Sequence, residues 1–154
     1  MNDLSVHAAV HSDVIYVVAT TFSGTEAALR FARALAQKRR ARLVLLVPQI
    51  ARQRPTLDRA PLAKPWAVAR YERMTRAFGQ PIQVLPCAAA SEAAAARQLM
   101  PACAVAILGG RHRWWWPHHE ERIAAALRRS GCHVAYIPET ADMLPLLSAL
   151  DEPR

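Results

Sequence analysis

The fold turns on the stretch Val14-Ile15-Tyr16-Val17-Val18-Ala19-Thr20-Thr21-Phe22-Ser23-Gly24-Thr25-Glu26. It opens on five apolar residues with no alternation of polar side chains. A strand covered on both faces reads that way. It then passes to Ser23-Gly24-Thr25-Glu26, a hydroxyl followed three residues later by a carboxylate. That is the capping-box spacing that opens a helix. Ala28, Phe31, Ala32 and Leu35 continue as one apolar stripe, with Arg30, Arg33 and Lys38 off it. The stretch is therefore a strand leading into an amphipathic helix.

The same unit recurs along the chain. Further apolar runs at Leu43–Val47, Ile82–Leu85, Val105–Leu108 and His133–Ile137 read as strands. Between them lie three more helical patterns. One begins after Pro65 and places Ala67, Tyr71, Met74 and Phe78 on one face, with Gly79 to end it. One is the alanine-rich stretch from Ser91 to Met100, stopped by Pro101. The last runs from Pro117 to Arg129, with Glu120 and Glu121 early, Arg128 and Arg129 late, and Gly131 as its cap. Strands alternating with helices imply right-handed crossovers and a doubly wound, parallel α/β sheet of five strands. Ligands bind such sheets beyond the C-terminal ends of the strands. The segments to inspect are Ala19–Ser23, Pro48–Ile50, Pro86–Ala88 and Gly109–Trp116.

The chain has 154 residues, of which 53% are hydrophobic and 21% charged, the profile of one packed domain. The domain is expected over 1–138. An acidic tail over 139–154, carrying Leu144, Leu146, Leu147 and Leu150, is expected to form a short docking helix. No apolar run approaches the length of a membrane span, and the N-terminus lacks a signal-peptide pattern. With Cys87, Cys103 and Cys132 scattered and no CxxC, a cytoplasmic location is expected and a disulfide framework is not. The net charge is +8, and the basic residues crowd between Arg30 and Arg76. Salt-dependent attraction to polyanions follows from such a patch. No recognised nucleic-acid motif accompanies it, so nucleic acid is not the expected partner.

Several segments together resemble a universal stress protein domain. Val17–Ser23 with Glu26–Leu29 is similar to that family's first strand and helix entry. Ala41–Val47 is similar to its second strand, Ala104–Arg111 to its fourth strand and glycine turn, and Glu121–Ile123 through Gly131–Pro138 to its last helix and strand. The resemblance implies the universal stress protein and adenine nucleotide alpha hydrolase-like fold, with strand order 3-2-1-4-5. It also implies a stress-related binding protein that dimerises along the fifth strand, where Val134 and Tyr136 are candidate interface residues.

The nucleotide-binding members carry Asp-x-Ser after the first strand, where this chain has Thr21-Phe22-Ser23. They carry Gly-x-x-Gly after the fourth strand and a Gly-Ser or Gly-Thr pair at the last helix. Here Gly109 and Gly110 are followed by Arg111-His112-Arg113, and the helix opens on Pro117-His118-His119. Pro117 has no amide hydrogen to give a phosphate. Glu120 and Glu121 would repel one. The candidate ligand residues are Thr20, Thr21, Ser23, Val47, Gly109, Gly110, Arg111 and Arg113. The expectation is a non-enzymatic homodimer without cofactor. One alternative is an ATP- or AMP-binding member that uses Arg111 and Arg113. The other is a weak nucleotide hydrolase.

Trp114-Trp115-Trp116 cannot all face one core, so they are expected to cover the crevice or contact a protein partner. His118 and Glu121 supply two metal ligands at most, and no metal is expected. No nucleophile, base and orienting group are found at catalytic spacing, so no catalytic residue is assigned.

Overall fold

A computed structural model describes residues 14–50, 65–89, 91–111 and 119–139. In chain order its elements are β1 (Val14–Val18), α1 (Phe22–Arg39), β2 (Arg42–Ile50), α2 (Pro65–Arg76), β3 (Ile82–Ala89), α3 (Glu92–Leu99), β4 (Val105–Gly110), α4 (His119–Arg129) and β5 (His133–Pro138). The five strands form one sheet in the order β3-β2-β1-β4-β5. Every pairing is parallel. The doubly wound α/β architecture and the strand order are those expected. The basic loop over residues 51–64, residues 112–118 with Arg113 and the three tryptophans, and the tail from residue 140 onward lie outside the described residues.

Strand side chains alternate between the two faces, and this divides the core in two. Ile15, Val17, Leu43, Leu45, Ile107 and Ile137 face α1, Met74 at the end of α2, and Phe78 in the turn that follows it. Val18, Val44, Leu46, Ala106 and Leu108 face α3 and α4. The sheet is thus dry on both faces, which explains why its strands read as unbroken apolar runs. β2 and β3 run on together to Ile50↔Ala89, beyond the expected ends, while the β1–β2 register stops at Val18↔Leu46. Pro48 falls just past that limit. Its missing N–H therefore costs no bond to β1.

The helix termini were partly legible. Ser91, the expected start of the alanine-rich helix, is the N-cap of α3 and accepts from Ala94 N–H at 3.2 Å. The expected cap of α1 needs correction. Thr21, not Ser23, is the N-cap, and its Oγ1 accepts from Gly24 N–H at 3.1 Å. Ser23 lies inside the first turn. Thr21 wins because its extended backbone (φ −71°, ψ 161°) leaves its side chain pointing back over the free amides. Glu26 pairs instead with Arg30, one turn on.

α1 and α4 both end through a left-handed residue spanned by one backbone bond, with different residues at that position. In α4, Cys132 N–H bonds to Leu127 O at 3.1 Å and Gly131 N–H to Arg128 O at 3.0 Å, with Gly131 at φ +90°. This is a Schellman motif with glycine at its left-handed position. In α1, Ala41 N–H bonds to Ala36 O at 2.9 Å across Arg40, which takes φ 54° and ψ 36°. An arginine therefore holds a conformation that costs an L-residue about 1 kcal/mol.

The charge is polarised from end to end. Because the sheet is parallel, each helix runs back from the C-terminal to the N-terminal end of the strands. The last turns carry Lys38 and Arg39 in α1, Arg73 and Arg76 in α2, Arg97 in α3, and Arg128 and Arg129 in α4. Among the described carboxylates, Glu26, Glu120, Glu121 and Glu139 stand towards the other end.

Two substitutions check this account. Arg40→Gly is expected to raise stability by about 1 kcal/mol in denaturant unfolding. Gly109→Ala is expected to cost about 3 kcal/mol or more, because its Cβ would fall 1.8 Å from Gly24 O.

Candidate functional site

The topological switch point lies between β1 and β4, where the chain leaves β1 for one flank of the sheet and β4 for the other. A cavity of about 430 Å³ opens beside it, beyond the ends of β1 and β2. Its floor is Ala19, Thr20 and Thr21 from the β1–α1 turn and Val47 to Gln49 from β2. Its walls are Phe22 of α1, Trp66, Arg70 and Tyr71 of α2, and His119, Glu120 and Ile123 of α4.

The floor is a closed hydrogen-bond network. Thr25, fully buried, donates through Oγ1 to Thr21 O at 2.7 Å and accepts from Thr20 N–H at 3.0 Å. Thr20 Oγ1 donates to Gly109 O at 2.5 Å, tying β1 to β4. Tyr71 donates to Thr20 O at 3.2 Å and fixes α2 to the same turn. Backbone and side-chain groups that line this turn are thus spent on one another.

Glu139 completes the closure. It follows β5, and its N–H bonds to Gly110 O at 2.9 Å, extending the β4–β5 ladder by one residue. One carboxylate oxygen accepts from Thr21 Oγ1 at 2.6 Å. The other faces Arg111 Nε at 3.3 Å. The carboxylate therefore sits at the N-terminus of α1, where backbone N–H groups and the helix dipole favour negative charge. Hydrogen bonds from the Thr21 hydroxyl first, then from Ser23 and Arg111, hold its carboxyl below the usual range, and partial burial opposes them.

Gly109 and Gly110 are both buried at the end of β4, each for a packing reason. Gly109 lies against Gly24, and a Cβ on Gly24 would come within 2.6 Å of Gly109 O. Gly110 is covered by Tyr136, whose hydroxyl would be 2.6 Å from an added Cβ, and by the Glu120 stem. Tyr136 donates to Arg111 O at 3.2 Å. Burial first, then Glu120, Glu121 and Glu139, push its phenol up to about 12. It stays a neutral donor at physiological pH.

The outer wall is aromatic and open. Among the described residues the exposed large hydrophobics are Phe22 (38%), Trp66 (65%) and Leu99 (42%), and two of these line this cavity. The Phe22 and Tyr71 rings are stacked with centroids 6.3 Å apart. The Arg70 guanidinium carbon lies 4.0 Å above the Phe22 ring centre. This is a polarisable aromatic surface carrying the Arg70 cation.

Of the sequence candidates, Thr20, Thr21 and Val47 reach the cavity. Ser23, Gly110 and Arg111 are gathered around Glu139 instead, Gly109 packs against Gly24, and Arg113 lies outside the described residues. Val134 and Tyr136 are half-buried and pack towards α3 and α4. Phe22 falls within the segment Ala19–Ser23 and Glu120 was weighed against a phosphate, but Trp66, Arg70, Tyr71 and His119 were missed as site residues. The apolar spacing of α2 marks Tyr71 only as core-facing, and the one signal in the sequence is Trp66, a tryptophan off that stripe. Burial pushes the Cys87 thiol up, so it behaves as a small apolar side chain. Among the described residues no three histidine, cysteine, aspartate or glutamate side chains gather as a metal ion would require. No helix there is long and apolar enough to cross a membrane.

No protein-family model matches the chain, and no curated protein matches it.

A pH prediction follows from Glu139. Its folded-state carboxyl is the stronger acid, so its contribution to stability is present at neutral pH. That contribution is lost as pH falls through and below the usual carboxylate range, roughly pH 4. Thermal melts from pH 7 to 3 are expected to fall less steeply for Glu139→Gln than for the parent chain. Parallel curves would contradict the assigned clasp.

Proposed function

We propose that this chain is a non-enzymatic binding or regulatory domain of the universal stress protein type that has given up the usual ATP contacts. The observation that carries the reading is the self-occupied end of β1 and β4. Thr21 bonds to Glu139 and to Gly24 N–H, and Thr20 bonds to Gly109 O. A nucleotide phosphate entering there would meet a carboxylate already held by the groups that would bind it. Displacing that carboxylate would break one exposed hydrogen bond and one exposed ion pair, each worth about 1 kcal/mol or less, before any binding is gained.

What stays accessible is the cavity wall of Phe22, Trp66, Arg70 and Tyr71. Its volume of about 430 Å³ lies in the range of small-molecule sites. Its chemistry suits a flat ring rather than a triphosphate. A second reading, nucleotide binding by atypical contacts, draws support from the same wall, since an adenine ring would stack there. It is weakened because Ser23, Gly109, Gly110 and Arg111 do not face that wall.

The proposed working form is a homodimer paired along β5. That strand is bonded to β4 on one side and stands at the sheet edge. An edge strand offers unpaired backbone groups to a second copy. Light scattering is expected to give twice the 17.0 kDa chain mass.

The functional test is nucleotide content followed by calorimetric titration with ATP. Purified protein is expected to carry no nucleotide and to show no one-to-one heat of micromolar affinity. ATP or AMP near one per chain, or micromolar binding, would overturn the reading in favour of the second. Nucleotide turnover above a purified blank would overturn its non-enzymatic part.

A further inference from the structure

The end of the molecule opposite the cavity is a cationic face. α1 finishes on Arg39 and Arg40, β2 opens at Arg42, α2 finishes on Arg76, and α4 on Arg128 and Arg129. All six are exposed. Parallel topology brings them together although they lie far apart in the chain. The described carboxylate nearest this end is Glu72, one turn before Arg76. Complementing the helix dipoles explains basic residues in the last turns. It does not explain Arg40 and Arg42, which lie beyond the helix.

Arg40 carries a second signal. It occupies the left-handed position of a helix closure that α4 fills with Gly131. Strained non-glycine positions cluster at functional sites, and among the described residues Arg40 and Cys103 are the two with positive φ. The structure shows what Arg40 stands beside. Arg40 and Arg42 rim a depression of about 340 Å³ floored by Ala41, Leu43 and Pro81. Arg42 also rims an adjoining one of about 320 Å³ at the start of β2 and β3.

We propose that this face docks the phosphodiester backbone of duplex nucleic acid without reading its sequence. Six arginines against one lysine, Lys38, at this end favour phosphate, which a guanidinium grips through paired N–H groups. From β2 to β5 the strand order spans three interstrand spacings, roughly 14 Å. That is comparable to the roughly 12 Å width of a major groove, so cations at the two ends of the face meet phosphates on both strands. Single strands are bound largely by aromatic stacking, and the exposed Phe22 and Trp66 stand at the other end of the sheet. A membrane surface would be met by several exposed apolar side chains. Of the exposed large hydrophobics described, Leu99 alone lies towards this end.

The test is fluorescence anisotropy of a labelled 20-base-pair duplex between 50 and 200 mM salt. Neutralising about four phosphates gives a slope of about −3.6 in log K against log salt, a loss of roughly 100-fold over that range. The double variant Arg40→Gly/Arg42→Gln is expected to bind more weakly and to make the slope shallower by about 2. Its melting temperature reports folding independently, and Arg40→Gly is expected to raise it. The control Arg30→Gln/Arg33→Gln removes the same charge from the middle of α1 and is expected to leave binding unchanged. Equal weakening by both variants would reduce the effect to net charge and overturn the proposal. So would tighter binding to a single strand of the same length, tighter binding to vesicles of anionic phospholipid, or no salt-dependent binding at all.

Discussion

Two glycines from distant parts of the chain set the geometry of the whole upper end. Gly24 and Gly109 press backbone against backbone, so closely that a Cβ on either would strike the other's carbonyl. Only this contact lets the first turn of α1 lie directly on the end of β4. Once it lies there, Thr20 reaches Gly109 O, Thr21 becomes the helix cap, and the N-terminus of α1 faces the chain that leaves β5. The position of Glu139 is then a consequence. A carboxylate placed at that helix end by the β4–β5 ladder meets hydroxyl and guanidinium donors and is stabilised in its charged form. The closed floor, the aromatic wall and the cavity between them all follow from where α1 can sit.

That chain of causes explains which parts were readable in advance. Sheet and helices were legible because burial on both faces leaves a local trace, such as the unbroken runs at Val14–Val18 and Leu43–Val47. Strand order came through resemblance of ordered segments rather than through any single residue. The α1 cap was misplaced by two residues because Ser23 and Thr21 are both hydroxyls before an apolar stripe. Backbone geometry chooses between them, and the three-residue spacing to Glu26 pointed the wrong way. The Gly24–Gly109 contact left no local trace, since neither glycine has a positive φ and their partnership is purely tertiary. Glu139 was read as the first residue of an acidic tail. Its role depends on the β5 register, which no nearby residue announces.

The site follows the same division. Thr20, Thr21 and Val47 were found because they lie directly past strand ends, where α/β folds gather ligands. Arg70 and Trp66 were missed because their joint surface with Phe22 exists only when α2 packs beside the β1–α1 turn through Tyr71. The cationic end was half visible. The run Lys38–Arg42 stood out, but only parallel topology adds Arg76, Arg128 and Arg129 to it. The molecule thus separates two chemistries by the length of its strands, with a carboxylate-closed, aromatic end opposite an arginine-rich end.

The central claim is that the β1–β4 end is closed to nucleotide by the chain's own groups. A two-dimensional amide NMR titration with ATP tests it residue by residue. The backbone amides of Thr20, Thr21, Gly109 and Gly110 are expected to hold their positions into the millimolar range, with any movement confined to the arginine-bearing end around Arg40 and Arg42. Saturable shifts at Thr21, Gly109 and Glu139 at micromolar ATP would contradict the account.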